Sequence, residues 1–283
     1  MPLGTDQITV TTAAVFIPEI WAMDIIAAAE SALVMTKLVT DMSKWGKDGD
    51  IIHVPNVSNL TINAKLANTP VTLQSPTETE IELTINKHYE TSFLVEDIAK
   101  VQANQDLRGI YTRKAGYAIA RQMDSDLLGL YSGLTNSVAA GAAVSYAELT
   151  EAMEYLDLAD APEVERYLVI HPTVKKDLLD VNEVKDRDFR TPSDPAPTQT
   201  GLIGDILGCK VFSTNQVVGT TVSEVTTRHN LMFQRGAFGL AVQLGPRVQA
   251  SYIQEYLGTL VTVDVLYGIV ELRDDHAVDI QST

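Results

Sequence analysis

Residues 80–86 read Glu80-Ile81-Glu82-Leu83-Thr84-Ile85-Asn86, a strict alternation of polar and apolar side chains that fits a strand with one face buried. Upstream, Gly49-Asp50 punctuates the chain and Ile51, Ile52 and Val54 begin another strand. Leu60, Ile62 and Ala64, which alternate with Thr61 and Asn63, are read as more of the same pattern. Pro70 and Pro76 fall in the polar stretch between the two runs. Together they form a long two-stranded excursion over 47–92. A lone ribbon of two strands is marginally stable in water, so its apolar row needs cover from outside its own domain, and an intersubunit contact is expected.

Downstream of the ribbon the period changes. Ala115, Ile119, Met123 and Leu127 recur every four residues, with Ile110 and Leu130 near the same side, which predicts one long helix from about Glu96 to Tyr131. Gly109, Gly116 and Gly129 weaken it and mark a bend or a close packing contact. Arg113, Lys114 and Arg121 lie away from the apolar row, either as a solvated face or as a surface that pairs with an acidic neighbour. Upstream of the ribbon, 1–15 is Thr-rich and aperiodic and is expected to order only on a partner surface. A short helix follows from Pro18 to about Leu33, carrying Trp21.

Small residues over 133–144 separate this part from an α/β unit. A helix is predicted over Tyr146 to Leu158, a strand over Tyr167 to Ile170, a helix from Pro172 to Val181 and a strand from Cys209 to Phe212. Between them, 182–200 holds Pro192, Pro195 and Pro197 and reads as an exposed, mobile loop. The tail from Thr259 to Leu272 reads as one or two strands. The resulting division is 1–46 arm and short helix, 47–92 ribbon, 93–135 long helix, 136–255 α/β unit and 256–283 C-terminal strands.

Composition narrows the function. The chain has 283 residues, with 21 Lys plus Arg against 37 Asp plus Glu, and the net charge of −16 repels phosphate backbones and anionic lipid. A single cysteine, Cys209, excludes an intrachain disulfide, is read as a small core residue, and points to a reducing compartment. No run approaches the ~18 apolar residues of a spanning helix and no export signal opens the chain, so a soluble, unexported protein is expected.

The search for chemistry is mostly negative. His53, His88, His171, His229 and His276 are scattered without metal-ligand spacing, and no metal or cofactor is expected. Nucleophile-elbow, dinucleotide and phosphate-loop patterns are missing. Asp48-Gly49-Asp50 and Asp186-Arg187-Asp188 lack the ladder of a calcium loop and read as turns or surface charge. Asp274-Asp275-His276 reads as a solvated chain end, and His171, before Pro172, as a helix cap. Trp21 and Trp45 are either core fillers or interface anchors.

Taken in order, these pieces resemble a tailed-bacteriophage major capsid protein, the shell fold shared with encapsulins. Gly201-Leu-Ile-Gly-Asp-Ile-Leu-Gly-Cys-Lys-Val-Phe-Ser-Thr-Asn215 is similar to that family's glycine-punctuated turn into an axial strand, and Tyr267-Gly268-Ile269-Val270-Glu271-Leu272-Arg273 to its closing strand. Tyr167-Leu-Val-Ile-His171-Pro172 and the upstream ribbon-then-helix order add to the likeness. The resemblance implies an α+β fold: an N-terminal arm, an extended two-stranded E-loop, a long spine helix with a peripheral sheet (P-domain), and an α/β axial domain (A-domain). It implies a non-enzymatic protein that assembles with itself, as hexamers and pentamers, into an icosahedral head shell around double-stranded DNA in the bacterial host cytoplasm. It also implies a portal, a scaffold supplied separately or removed by cleavage, and a decoration protein. Candidate intersubunit contacts are then Trp21 in the arm helix, Ile62, Lys65 and Leu66 at the loop tip, Ile81 and Leu83 in the ribbon, and Arg113, Lys114 and Arg121 on the spine. Some relatives cross-link a loop lysine; Lys65 sits near the tip, but no residue marks a catalytic partner for it. Competing readings are an encapsulin-like shell, a tail or neck ring, and a cytoplasmic α/β enzyme with its site at 182–200.

Overall fold

The computed structural model describes residues 34–57, 60–75, 78–97, 107–141, 143–180, 204–222 and 224–283. The arm and its helix with Trp21, and the loop 182–200, lie outside the described residues. Three sheets organise the rest. The ribbon is β2 (Ile51–Val57) antiparallel to β3 (Glu78–Thr84), in register Ile51 to Thr84 and His53 to Glu82. A four-stranded sheet runs β1 (Thr40–Asp41), β11 (Phe238–Ile253), β12 (Gly258–Glu271) and β4 (Lys87–Glu96). A seven-stranded sheet runs β5 (Ser137–Ala139), β13 (Ala277–Ser282), β10 (Val225–Gln234), β6 (Arg166–Ile170), β8 (Cys209–Ser213) and β7 (Asp205–Ile206), with β9 (Gly219–Val222) also on β10.

The spine helix α1 spans Leu107–Leu128, and Ala115, Ile119, Met123 and Leu127 are all buried, as their spacing predicts. It packs on the four-stranded sheet through Phe93 and Tyr111, whose rings lie 5.5 Å apart. Asp124, about one turn before its C-terminal end, is buried and accepts the backbone N–H groups of Val34 and Met35, both at 3.1 Å. Gly129 ends the α-helix and opens a short 3-10 turn, Gly129–Gly133.

Lys87–Glu96 is a ten-residue strand paired with β12 along its whole length, and it runs up to the expected helix start: Asp97 is helical, and 98–106 lie outside the described residues. Its strict alternation of half-buried and exposed residues is the period of a sheet with one face covered by α1. The ribbon therefore ends at Thr84, short of 92. The segment 136–255 is likewise split: β11 leaves the seven-stranded sheet to pair with β12, while β13, from the C-terminal segment, returns to sit between β5 and β10.

The α/β unit follows the sequence reading closely. Helix α2 is Tyr146–Leu158, started by a capping box in which Ser145 and Glu148 satisfy each other's backbone N–H groups, and it buries Leu149, Ala152 and Leu156. Helix α3 is Pro172–Asp180. His171 does cap it: Nδ1 accepts the Thr173 N–H at 3.3 Å and the Thr173 hydroxyl at 2.8 Å, so the proton resides on Nε2, which faces Asn215 Oδ1 at 3.0 Å. Strand β6 is buried at every position, as a central strand covered on both faces must be. Its first residue, Arg166, is buried but fully engaged, with Nη1 on Asp157 at 2.7 Å, Nε on the Pro162 carbonyl at 2.9 Å and Nη2 on the Ala161 carbonyl at 2.5 Å. Between β7 and β8, Leu207 (φ 51°) and Gly208 (φ 75°) make the left-handed pair of a tight hairpin, the geometry that the glycine density predicts. Cys209 is a buried core residue, and burial pushes its thiol up to about 11.

Candidate functional site

The ribbon has two different faces. Ile52, Val54, Ile81 and Leu83 point inward at its root, where Leu83 is fully buried with Met42, Ile85 and Ala241. Gly268 on β12 permits this: a Cβ there would stand 2.5 Å from the Thr84 carbonyl oxygen and 2.8 Å from Leu83 Cδ2. Leu83 is thus covered by its own chain and is withdrawn as an intersubunit candidate. Ile81 remains half-buried.

Beyond the strands, 60–75 is irregular, so the predicted continuation through Leu60, Ile62 and Ala64 does not form. The returning side carries Pro70, which offers no N–H to a ladder. The Gln74 side chain spans the two sides of the loop instead, bonding both the N–H and the carbonyl of Thr61. The loop displays Leu60, Ile62, Leu66, Val71 and Leu73 to solvent, with Ile62 at 101% and Leu73 at 90% exposure. Five large apolar side chains are thus bare within 16 consecutive residues, a density of exposed apolar surface that marks a protein contact. Ile62, Lys65 and Leu66 are brought together on this loop, all exposed.

Arg113 and Lys114 stand exposed on α1, and among the described residues neither has a hydrogen bond or ion pair. Arg121, also exposed, donates from Nε to Gln216 Oε1 at 2.8 Å. Trp45 is exposed, which fits an anchor and not a core filler. A second exposed group, Tyr252, Tyr256 and Leu257, closes the long hairpin between β11 and β12. The row Glu78, Glu80 and Glu82 is exposed along the outer face of β3. The alternation that fixed the strand already placed these glutamates outward; the signal missed in the sequence was their shared charge.

The titratable groups are tied up in structural pairs. Asp264 takes Arg247 Nε on both oxygens, at 2.7 and 2.9 Å, and His88 at 3.2 Å, and the Arg247 bond holds its carboxyl below the usual range. His229 pairs through Nδ1 with buried Asp279 at 2.8 Å, and its ring stacks on Tyr131 at 3.8 Å; burial raises the Asp279 carboxyl. Asp274 bonds the Thr135 N–H and hydroxyl, and His276 is buried with its imidazole pushed down by burial. The triplet 274–276 is therefore a packed turn and not a solvated end. An open crevice of about 460 Å³ at the ribbon root contains Lys87 and Asp126, already paired at 3.1 Å, with the Tyr267 hydroxyl on Asp126 at 2.7 Å. Among the described residues, one trio could hold a cation, His53, Glu80 and Glu82, whose ligand atoms lie within 4.8 Å of one another on the exposed ribbon face. None of these sets places a nucleophile beside a free base. No described helix is long and apolar enough to cross a membrane.

Comparison with known proteins places this architecture. The family model described as "Phage capsid protein" matches residues 26–283. No curated protein matches the chain. Among solved structures, a protein of Mycobacterium phage Che8 superposes with a TM-score of 0.77 at 22% identity, covering 88% of this chain and 90% of that one. The capsid structure of Cyanophage P-SCSP1u gives 0.74 at 18% identity, over 89% and 88% of the two chains. The mature capsid of bacteriophage PhiM1 gives 0.70 at 12% identity, over 89% and 87%.

Proposed function

The chain belongs to the phage capsid protein family and is a major capsid protein that forms the head shell of a bacteriophage, and from that premise we propose how its own surfaces close that shell. The observation that carries the reading is the ribbon: rooted in its own sheet through Leu83, it ends in a loop whose five exposed apolar residues have no cover within the described chain. In the shell, a sister copy covers that loop, with Ile62, Lys65, Leu66 and half-buried Ile81 in the contact, and Trp21 makes a further contact between copies. Each contact is modest. Closure of a symmetric surface makes every copy bind several others at once, and that multiplicity stabilises the particle.

The copies group as hexamers and pentamers, assembled in the bacterial host cytoplasm on a separate scaffold and around a portal, with a decoration protein as a further partner. The protein has no catalytic role and uses no cofactor. A charge of −16 per copy makes a wall that does not adsorb the double-stranded DNA it encloses, so purified shells should not bind duplex DNA tightly at physiological salt.

The test is replacement of 62–73 by a Gly-Ser segment of equal length, followed by negative-stain imaging of protein expressed with and without scaffold. Wild type is expected to give hollow megadalton particles, and the variant to remain as folded small species with an unchanged circular dichroism spectrum. Normal particles from the variant would overturn the assignment of the loop.

A further inference from the structure

We propose that His53, Glu80 and Glu82 form a binding site for a divalent transition cation of the zinc class, which clips β2 to β3 across the exposed face of the ribbon. All three ligands belong to one chain, so the site needs no second copy and stands apart from the reading of the loop beyond it.

Strand pairing builds the site. Strand β3 reads Glu78-Thr79-Glu80-Ile81-Glu82-Leu83-Thr84, and side-chain alternation puts its carboxylates on one face while Ile81 and Leu83 take the other. The register sets His53 of β2 directly opposite Glu82, and Pro55 opposite Glu80. Pro55 has no group that pairs with a carboxylate, and Glu80 reaches diagonally to His53 instead, with Oε2 at 3.1 Å from Nδ1. One imidazole nitrogen and one oxygen from each glutamate then lie within 4.8 Å of one another. In a tetrahedral zinc site the ligand atoms stand about 3.4 Å apart, so small side-chain rotations close the set. Beneath it, Leu83 is fully buried with Met42, Ile85 and Ala241, which fixes the backbone that carries Glu82.

The donor set selects the ion. Two carboxylates alone would suit calcium or magnesium, whereas an added imidazole nitrogen moves the preference to zinc, nickel or cobalt. The carboxylates also lack countercharge: among the described residues no Lys or Arg pairs with Glu78, Glu80 or Glu82, and His53 with Glu80 is the one ion pair they make. Like charges in one row repel, and a dication turns that repulsion into attraction. The side chains of His53 and Glu80 are 55% and 59% exposed, so the ion enters directly from solvent and completes its coordination with water. Its role is structural. A ribbon of two strands is marginally stable, and an ion that takes ligands from both strands binds only while they are paired. A set shared between two strands has no spacing signature along the chain, which is why the scattered histidines do not announce it.

Calorimetric titration of untagged, unassembled full-length protein with zinc chloride tests this, beside the variants His53→Gln and Glu82→Gln. Both residues are exposed, so the circular dichroism of the variants should match wild type. Wild type should hold a zinc ion that each variant binds about tenfold or more weakly. Calcium and magnesium should bind wild type more weakly than zinc does, and His53→Gln should leave their binding unchanged. Hydrogen exchange supplies a second reading. Zinc at about one hundred times its dissociation constant should slow amide exchange in 51–57 and 78–84 by as much as about 100-fold in wild type, not in His53→Gln, with the buried strand Arg166–Ile170 unaffected. No zinc uptake by wild type, or equal zinc affinity in wild type and His53→Gln, would overturn the proposal. So would calcium bound as tightly as zinc, zinc uptake that leaves exchange in the ribbon unchanged, or zinc held only between copies, seen as a larger sedimenting species that His53→Gln abolishes.

Discussion

Asp124→Ala removes the buried carboxylate that ties the spine helix to the chain entering at Val34. Its two oxygens accept two backbone N–H groups at 3.1 Å, one each. Without it, two N–H groups lose their acceptor, at about 1–3 kcal/mol apiece. Part of that loss is offset, because burial lifts the Asp124 carboxyl from 3.8 to about 6, so at neutral pH the native state carries an anion that its surroundings disfavour by about 3 kcal/mol. Two such losses less that offset leave a net cost at pH 7.5 of at most about 3 kcal/mol. The sign of the pH dependence follows from the raised value. The native state holds the proton more tightly than the unfolded chain, so this group's stabilisation is fully present below 3.8 and is lost as pH rises through about 6. Between pH 7.5 and pH 5 the wild type gains about 1.4 kcal/mol that the alanine variant cannot. Urea unfolding of unassembled protein at the two pH values reads this as a gap between wild type and variant that widens by about 0.5 M on acidification, for a slope near 3 kcal/mol per molar. A gap that is constant or narrows at pH 5 would refute the reasoning.

Gly268→Ala should cost about 2 kcal/mol or more by driving a methyl group into the Thr84 carbonyl, and hydrogen exchange should show loss of protection concentrated at 78–85; uniform protection would contradict it. Arg166→Met keeps volume but strands the Ala161 and Pro162 carbonyls and breaks the bond to Asp157, so a loss of about 2–4 kcal/mol in urea unfolding is expected, with Arg166→Lys between it and wild type. His171 and His276 act opposite to Asp124: burial depresses both, so their contribution is present above 6.5 and lost as pH falls below it. His171→Asn keeps an acceptor for the Thr173 N–H and should show a smaller fall in thermal midpoint between pH 7.5 and 5 than wild type does.

What could be read from the sequence was what local chemistry dictates. The Tyr146 to Leu158 span of α2, the Pro172 start of α3, the period of α1 and the alternation in β3 are all set within a few residues, and all appear where their patterns place them. The strands β4, β10 and β11 went unread for a long-range reason. The alternation in Lys87–Glu96 acquires meaning only through β12, some 170 residues away, and β11 pairs with β12 across register shifts that break any simple period. In the candidate interface, Ile62 and Leu66 were legible because their apolar character has no partner nearby. Leu83 was misjudged for the opposite reason: its partners, Ala241 and Leu266, come from distant strands, and the absence of a side chain at Gly268 is what lets it bury itself at home.

The central claim is that the loop over 60–75 is left bare by its own chain so that a sister copy can cover it. Hydrogen exchange followed in parallel on unassembled subunits and on purified shells measures this directly. The account expects fast exchange across the loop in the free subunit, where few of its backbone groups are bonded, and marked slowing on assembly, while the buried strand Arg166–Ile170 stays equally protected in both. Equal exchange across the loop in the two states would contradict the claim.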